Sequence, residues 1–242
     1  MRVASRCIIE ACIAGLILLL LAPIMVAIAA AIVIETGRPV FFLQIRIGRQ
    51  GKPFRLVKFR KFHRNPPARQ LPLTMRNDPR LTWVGRFLER SKLDELPQLW
   101  NVLRGEMAIV GPRPESMEFR DCFDSGFRAV LDYIPGIFGP SQALFRNEKL
   151  LYRPGWDPVV FYRTVLFPAK ARIDLAYYPH RTLRNDLAWA LYCSLLVIGY
   201  VPRSRRLAVV VNETANFIHH SGEPLGADVL GPLIRPLRGR AL

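Results

Sequence analysis

Residues 93–114 read LDELPQLWNVLRGEMAIVGPRP and carry more information than any other part of the chain. Proline is tolerated in the first turn of an α-helix but not in its interior, so Pro97 predicts a helix that starts near Asp94. Glu95 then lies in the first turn, and Gly105 is suited to end the helix. The carboxylates of Asp94 and Glu95 are therefore expected at the positive end of a helix. Four apolar residues recur at helical spacing on one face of it: Leu96, Leu99, Trp100 and Leu103.

The simplest interpretation of the Asp94-Glu95 pair is helix capping, because acidic residues at helix starts are stabilised by free N–H groups and by the helix dipole. The preceding segment favours a functional interpretation instead. From Arg38 to Lys92 the chain has fifteen Lys or Arg residues and only two acidic residues. Two carboxylates that follow such a cationic stretch suit a site for a polyphosphate.

The second feature is an uncharged apolar run from Ala11 to Ile34. As a helix it would be about 36 Å long, enough to cross a hydrocarbon core of about 30 Å. Pro23 lies at its middle and removes a backbone hydrogen bond, which predicts a kink or a reversal. Both flanks are basic, so the positive-inside bias draws both ends toward the cytoplasm. Composition alone leaves two topologies open: a kinked span with a short external N-terminus, and a helix-break-helix that enters and leaves one leaflet.

Composition limits the partners and the chemistry. The net charge of +16 in 242 residues fits anionic lipid, nucleic acid or a phosphorylated small molecule. After the apolar run, about 170 residues remain before a Gly-, Pro- and Arg-rich tail, which is enough for one globular domain. The cysteines lack CxxC spacing and the histidines lack a metal-ligand pattern, which argues against a zinc site. These residues are Cys7, Cys12, Cys122, Cys193, His63, His180, His219 and His220.

Local patterns predict three further elements. Apolar and polar residues alternate over residues 41–47, turn residues follow, and residues 54–60 form a returning strand, so a β-hairpin is expected. A helix is predicted from Trp83 to Arg90, with Thr82 as its N-cap. Arg86 and Arg90 lie four residues apart on one face of this helix, and the simpler interpretation is that this face is exposed to solvent. The apolar stretch of residues 187–201 is too short to span a bilayer comfortably and predicts a buried or interfacial helix.

Several ordered motifs together resemble the bacterial sugar transferases, which are monotopic polyprenyl-phosphate phosphoglycosyl transferases. The resemblance covers residues 1 to about 200 and is densest from 37 to 115. It rests on the following segments: Gly37-Arg38-Pro39-Val40-Phe41-Phe42 with Gln44, Arg46 and Gly48; Lys58-Phe59-Arg60; Asp78-Pro79-Arg80-Leu81-Thr82 with Gly85-Arg86-Phe87-Leu88; Leu93-Asp94-Glu95-Leu96-Pro97-Gln98-Leu99 with Asn101-Val102-Leu103; and Val110-Gly111-Pro112-Arg113-Pro114-Glu115.

The resemblance implies a two-step reaction. Asp94 attacks the sugar-linked phosphate of a UDP-sugar, releases UMP and forms a phosphosugar ester, which polyprenyl (undecaprenyl) phosphate then accepts. It also implies Mg²⁺, held by Asp94 and Glu95, with Glu95 binding the metal or positioning Asp94. A nucleotide contact is implied for Arg113 in the segment Pro112-Arg113-Pro114. Phosphate contacts are expected from Lys58, Arg60 and Arg86.

The implied fold is α+β. A single monotopic domain would have an N-terminal re-entrant helix-break-helix broken at Pro23, a β-hairpin and several short and amphipathic helices. We expect a membrane segment over residues 1–36, a catalytic domain over 37–202 and a variable tail over 203–242. The protein would act at the cytoplasmic face of the bacterial inner membrane, where it would contact anionic lipid. Nucleic acid is not expected as a partner, and a homodimer is left open. The reaction would initiate the assembly of exopolysaccharide, O-antigen or a related glycan.

The chain also departs from the family pattern. Lys61-Phe62 stands where a small or hydroxyl residue and Met usually follow Lys-Phe-Arg, and the usual Pro-Gly-Ile-Thr-Gly segment survives only in part from Pro135 to Gly139. Two rival functions stay open, the first suggested by the altered segment after Pro135 and the second by the net charge. One is an inactive scaffold in glycan assembly, against which the intact Asp94-Glu95 pair argues. The other is a membrane-tethered nucleic-acid binder, for which no zinc-finger or RNP motif is found.

Overall fold

The computed structural model describes residues 3–64, 73–75, 78–124, 126–146, 148–152 and 155–197, so the predicted tail lies outside the described residues. Within these ranges the chain combines helices with two small sheets, which confirms a mixed fold. The α-helices are α1 (Val3–Thr36), α2 (Trp83–Ser91), α3 (Gln98–Leu103), α4 (Pro140–Leu144), α5 (Pro158–Phe161), α6 (Phe167–Tyr177) and α7 (Leu183–Val197). The strands are β1 (Phe41–Ile47), β2 (Pro53–Phe59), β3 (Ala108–Val110) and β4 (Gly136–Phe138).

α1 is one continuous helix, and Pro23 lies inside it. The predicted division into two helices at Pro23 is therefore wrong, because every residue from Val3 to Thr36 is helical. A proline leaves the carbonyl one turn before it without a donor, but the remaining hydrogen bonds can continue the helix on both sides. α1 is long and apolar enough to cross a membrane, and it is the one such helix in the described part of the chain.

α1 packs on the rest of the fold through two separate apolar clusters. Its first half contributes Ala14, which is buried with Leu56 of β2 and residues of α3. Its second half contributes Ile28 and Ile32, which are buried with Phe59 at the end of β2. Most of the other large apolar side chains of α1 remain exposed. The helix thus buries one narrow stripe and presents the rest of its apolar surface outward.

The predicted hairpin is confirmed: β1 and β2 are antiparallel, with Phe42 opposite Lys58. Because side chains alternate between faces of a strand, one face carries Phe42, Gln44 and Arg46 beside Lys58. The opposite face carries three half-exposed apolar residues, Phe41, Leu43 and Ile45. The polar face is the one that borders the candidate site described below.

The predicted helix at residue 83 is confirmed, with bounds Trp83–Ser91 and with Thr82 as its N-cap. The Thr82 hydroxyl accepts a hydrogen bond from the Gly85 N–H at 2.8 Å. A second cap comes from α1, since the Glu35 carboxylate accepts from the N–H groups of Trp83 and Val84 at 2.6 and 3.1 Å. The C-terminal end of α1 is thereby attached to the start of α2.

The helix predicted to start near Asp94 starts later. Lys92 ends α2 in the left-handed conformation (φ 60°), residues Leu93–Glu95 form one 3₁₀ turn, and α3 begins at Gln98. The prediction placed the start too early because Pro97 is compatible with the residue before the first helical turn as well as with the turn itself. Asp94 and Glu95 therefore lie in a tight turn between two helices. α3 is too short for its dipole to dominate their electrostatics.

The remaining core is formed by β3, β4 and the helices from α4 to α7. β3 and β4 pair in parallel, and Gly111 follows β3 where a Cβ atom would lie 2.2 Å from the Ile134 carbonyl oxygen. Only glycine allows this close approach. Residues 187–197 of the predicted apolar stretch belong to α7, which buries one face and exposes Leu187 and Leu191 on the other, and residues 198–201 lie outside the described residues.

Candidate active site

A cavity of about 1250 Å³ lies between the β1–β2 hairpin, the turn that holds Asp94 and Glu95, and the loop after β3. Two residues of α1, Ile17 and Leu21, also line it, so one wall belongs to the apolar helix. The cavity brings together most of the charged residues that the sequence singled out. Its charged lining residues on these elements include Arg46, Lys58, Arg60, Lys61, Lys92, Asp94, Glu95 and Arg113.

Asp94 is the most deeply buried carboxylate of this cavity, with 2% of the residue exposed. Its Oδ2 atom lies 3.6 Å from the Lys61 ammonium. Its Oδ1 atom is buried and has no hydrogen-bond partner among the described residues. Buried carboxylate oxygens are normally satisfied, because burying an unpaired one is costly. A carboxylate left with an unpartnered oxygen, on a residue that lines a cavity, is suited to receive a ligand or to react.

Glu95 is held by two cations. Its Oε1 atom lies 2.9 Å from the Lys58 ammonium and 3.6 Å from the Arg113 guanidinium. Burial alone would raise the pKa of Glu95, but Lys58, Arg113 and then Lys92 lower this pKa well below its usual value. Glu95 is therefore a permanent anion that keeps two cations together at the cavity wall.

The two partners of Glu95 respond differently to burial. Burial lowers the pKa of Lys58 to about 8, against the opposing effect of Glu95. Burial also acts to lower the pKa of Arg113, but Glu95 and further carboxylates raise this pKa above its usual value. Arg113 thus supplies a charge at any physiological pH, whereas the charge of Lys58 depends on the presence of an anion beside it.

Hydrogen bonds join the Pro112-Arg113-Pro114 segment to the β1–β2 hairpin. The Arg46 guanidinium donates to the Pro114 carbonyl at 3.2 Å, and the Ile47 N–H donates to the Glu115 carbonyl at 2.9 Å. The Pro112 carbonyl accepts from the Gly136 N–H at 2.8 Å, which joins the same loop to β4. The two prolines restrict the backbone, so the loop presents Arg113 to the cavity in a defined position.

Two other residues predicted to contact phosphate, Arg60 and Arg86, do not point so clearly to a phosphate contact. Arg60 lines the cavity, but its Nη2 atom donates to the Thr36 hydroxyl at 2.7 Å and to the Gly37 carbonyl at 2.6 Å, at the end of α1. Its Nε and Nη1 atoms are buried without a partner in the described residues. Arg86 is exposed and is not among the residues that line the cavity; its guanidinium lies 4.7 Å from the centre of the Trp83 ring.

Sequence reasoning missed several cations of this cavity as site residues, among them Arg46, Lys61 and Lys92. Burial lowers the pKa of Lys92, while Glu95 and Asp94 act to raise it. Arg46 could have been found from the hairpin register, which puts it on the face that carries Lys58. Lys61 was noted only as a departure from the family pattern, and no local signal indicates that it contacts Asp94.

Polar side chains of the helices that follow β4 also line the cavity. The Tyr162 hydroxyl donates to Glu115 at 2.7 Å, and Lys170 pairs with Glu148 and approaches the Tyr162 hydroxyl at 3.3 Å. Burial and Glu115 raise the pKa of Tyr162 well above its usual value, so this hydroxyl keeps its proton. The hydrogen bond from Tyr162 to Glu115 joins these helices to the loop after β3.

Asp94 and Glu95 are the two carboxylates of the turn that could hold Mg²⁺. Mg²⁺ is usually held by one or two carboxylates together with substrate phosphates rather than by a full protein cage. No group of three or more potential ligands from His, Cys, Asp and Glu is found within the described ranges, which argues against a full cage there. The adjacent carboxylates Asp94 and Glu95, with the unpartnered Oδ1 of Asp94, match the first arrangement.

Known proteins of similar sequence include undecaprenyl-phosphate sugar phosphotransferases. A UDP-glucose:undecaprenyl-phosphate glucose-1-phosphate transferase of Escherichia coli (strain K12) is 42% identical over 133 residues, which are 53% of this chain and 28% of that protein. A UDP-N-acetylgalactosamine-undecaprenyl-phosphate N-acetylgalactosaminephosphotransferase of Aeromonas hydrophila is 39% identical over 131 residues, or 52% of this chain and 30% of that protein. The aligned part is thus less than a third of the length of these two relatives.

A shorter relative is covered more fully. The exopolysaccharide production protein ExoY of Rhizobium meliloti (strain 1021) is 37% identical over 150 residues, which are 56% of this chain and 66% of that protein. The family model described as bacterial sugar transferase matches residues 1–198, and this range contains all the described elements and the cavity. The chain therefore belongs to the bacterial sugar transferase family.

Proposed function

We propose that this protein transfers a sugar 1-phosphate from a UDP-sugar to polyprenyl phosphate through a phosphosugar ester on Asp94. The observation that carries the proposal is the state of Asp94: a buried carboxylate with one unpartnered oxygen, in a cavity walled by cations. The relatives support the substrate classes, since their names specify UDP-sugars and undecaprenyl phosphate. The product would start an exopolysaccharide, an O-antigen or a related glycan.

In the first step the donor diphosphate would lie against Lys58 and Arg113. These cations neutralise the charge that otherwise repels a carboxylate from a phosphoryl group. An Asp94 oxygen forms a bond to the sugar-linked phosphorus, the bond from this phosphorus to the bridging oxygen breaks, and UMP leaves with the electron pair. Arg113, which stays charged, is suited to hold the nucleotide phosphate through this step.

In the second step a phosphate oxygen of the acceptor attacks the same phosphorus atom. The bond from phosphorus to Asp94 breaks, the carboxylate returns, and the product is a polyprenyl diphosphate sugar. Both steps would use the same cations, Lys58 and Arg113, which Glu95 brings together at 2.9 and 3.6 Å. A bound Mg²⁺, held by Asp94, Glu95 and phosphate oxygens, would supply further charge neutralisation.

The test of this function is release of UMP from a panel of UDP-sugars by the purified, detergent-solubilised protein with Mg²⁺ and undecaprenyl phosphate. We expect at least one UDP-sugar to give UMP and a lipid-linked sugar in equal amounts. Omission of the lipid should limit UMP to about one equivalent of enzyme. If no UDP-sugar in the panel released UMP, the proposal would be rejected in favour of a scaffold without catalytic activity.

We further propose that α1 does not cross the bilayer and that the protein is monotopic on the cytoplasmic face. Near its start, Glu10 accepts from the Ile109 N–H at 3.0 Å, and Arg6 pairs with Asp186 of α7 at 2.7 Å. Near its end, Glu35 caps α2. Both polar ends of the apolar helix thus contact the same domain, whereas a spanning helix would separate them by a hydrocarbon core of about 30 Å.

The surface around α1 is consistent with this membrane attachment. Leu19, Leu20 and Ile34 of α1 are among its most exposed side chains, and Trp83 and Phe87 at the adjoining α2 are also mostly exposed. Exposed apolar and aromatic side chains of this kind are stabilised in the interfacial region of a bilayer. A polyprenyl phosphate could then keep its chain in lipid while its phosphate enters the cavity beside α1.

Thiol labelling tests the topology. A cysteine at Val3, in a Cys7→Ser, Cys12→Ser background, is expected to resist membrane-impermeant maleimide in intact cells and to react after permeabilisation. Cys122 and Cys193 are buried and should contribute little signal. The background without Val3→Cys serves as the control. Efficient labelling in intact cells would establish an external N-terminus and a spanning helix, although the catalytic assignment would be unaffected.

A further inference from the structure

We infer that Lys61 is a positioning residue for the nucleophile: its ammonium lies beside Asp94, orients this carboxylate, and stabilises it when it leaves in the second step. The inference rests on the proposed function and adds a residue to it. Lys61 stands where the family pattern has a small or hydroxyl residue. The inferred role therefore belongs to this chain and is not implied by the resemblance.

The backbone of Lys61 is fixed by the start of α2. The Thr82 N–H donates to the Lys61 carbonyl at 3.1 Å, and Phe62 forms an isolated β-bridge with Leu81. Gly85 packs directly against this carbonyl, since a Cβ atom there would lie 1.9 Å from the Lys61 oxygen. A long side chain on so constrained a backbone has fewer positions available, which lowers the entropic cost of a specific contact.

The side chain of Lys61 extends from the start of α2 to the carboxylate that follows its end. Its ammonium lies 3.6 Å from Asp94 Oδ2 and 5.5 Å from the centre of the Phe62 ring. Asp94 itself follows the end of α2, after the left-handed turn at Lys92. α2 therefore fixes both partners, one at its first turn and the other just beyond its last.

The contact places a cation beside the carboxylate that is proposed to react. Oδ2 lies 3.6 Å from the Lys61 ammonium, whereas Oδ1 is buried without a partner in the described part of the chain. A bond from an Asp94 oxygen to phosphorus gives an acyl phosphate, in which the carboxyl group carries less negative charge than the free carboxylate. When the acceptor phosphate attacks, the bond from Asp94 to phosphorus breaks and the negative charge returns to the carboxylate.

A cation beside this carboxylate has opposite effects on the two steps. It stabilises the free carboxylate, so it helps Asp94 to leave in the second step but moderates its nucleophilicity in the first. Loss of the Lys61 charge should therefore slow discharge of the phosphosugar ester more than its formation. This asymmetry distinguishes a cation at the reacting carboxylate from a residue that only stabilises the fold.

The test uses single-turnover kinetics on the full chain. The ester is formed with an active UDP-sugar in the absence of acceptor, UMP is removed, and undecaprenyl phosphate is added while intact mass is followed. For Lys61→Met we expect discharge to slow by about 10- to 100-fold, and ester formation to change by less than about 10-fold. Lys61→Arg, which keeps the charge, should recover most of the discharge rate.

Two controls separate charge from folding. Lys52→Met removes an exposed lysine of the hairpin and should discharge at the rate of the unmodified protein. Lys61→Gln replaces Lys61→Met if the latter lowers the melting temperature. Discharge of the Lys61→Met ester at the unmodified rate, or equal slowing in Lys61→Arg, would overturn the inference. If the unmodified protein formed no ester at all, the proposed function would fail first, which is a distinguishable result.

Discussion

Asp94→Asn is expected to abolish the phosphosugar ester and to reduce UMP release by at least about 10³-fold. Asparagine has nearly the same shape as aspartate, so it can occupy the same buried position. Its amide lacks the negative charge and the nucleophilic oxygen that the first step needs. The loss should therefore reflect chemistry and not a failure to fold.

Intact-mass spectrometry measures the first effect directly. After addition of an active UDP-sugar without acceptor, the unmodified protein should gain the mass of one sugar phosphate, and Asp94→Asn should gain nothing. Asp132→Asn, an exposed residue that does not line the cavity, provides the matched control and should retain the adduct. Turnover by Asp94→Asn at the unmodified rate would remove Asp94 from the mechanism.

Glu95→Gln is expected to lower UMP release by about 10²- to 10³-fold and to raise the Mg²⁺ concentration needed for half-maximal rate. Glutamine removes the anion that Lys58 and Arg113 share. Lys58 and Arg113 would then lie at the cavity wall without the carboxylate that they share, and the pKa of Lys58, already about 8, would fall further. The donor diphosphate would then bind beside cations that carry less positive charge and are less well positioned.

A Mg²⁺ titration of initial rates, at fixed UDP-sugar and lipid, provides the measurement. Glu89→Gln is the matched control, because Glu89 also lines the cavity and also pairs with a lysine, Lys149 at 2.8 Å, but does not adjoin Asp94. We expect a smaller loss there and no change in metal dependence. If Glu95→Gln titrated like the unmodified protein, Glu95 would be only a structural acid of the turn.

Local sequence patterns predicted the elements that depend on neighbouring residues. The β1–β2 hairpin follows from alternation and turn residues, and the Thr82 cap follows from a hydroxyl residue placed just before a helical stretch. The start of α3 was misplaced because proline fits both the first turn and the position before it. The predicted break at Pro23 was wrong because the residues on both sides continue one helix.

The charged residues predicted near Asp94 show that a sequence motif does not determine where a long side chain points. Lys58 and Arg113 were named because their motifs were recognisable, and the structure places both against Glu95. Arg86 belonged to an equally recognisable motif, yet it stacks on Trp83 and does not line the cavity. A motif identifies residue types at a spacing, but the direction of a long side chain depends on what the fold places around it.

The sequence by itself determined the family, the hairpin, the apolar helix and the identity of the carboxylate pair, because each of these is encoded in residues that are close along the chain. Only the tertiary structure decided that Lys61 contacts Asp94 across 33 positions, that Arg46 fastens the loop of Arg113, and that both ends of α1 contact one domain. The physical reason is that these contacts join segments distant in sequence. Their geometry depends on how the whole chain packs, and no local propensity encodes it.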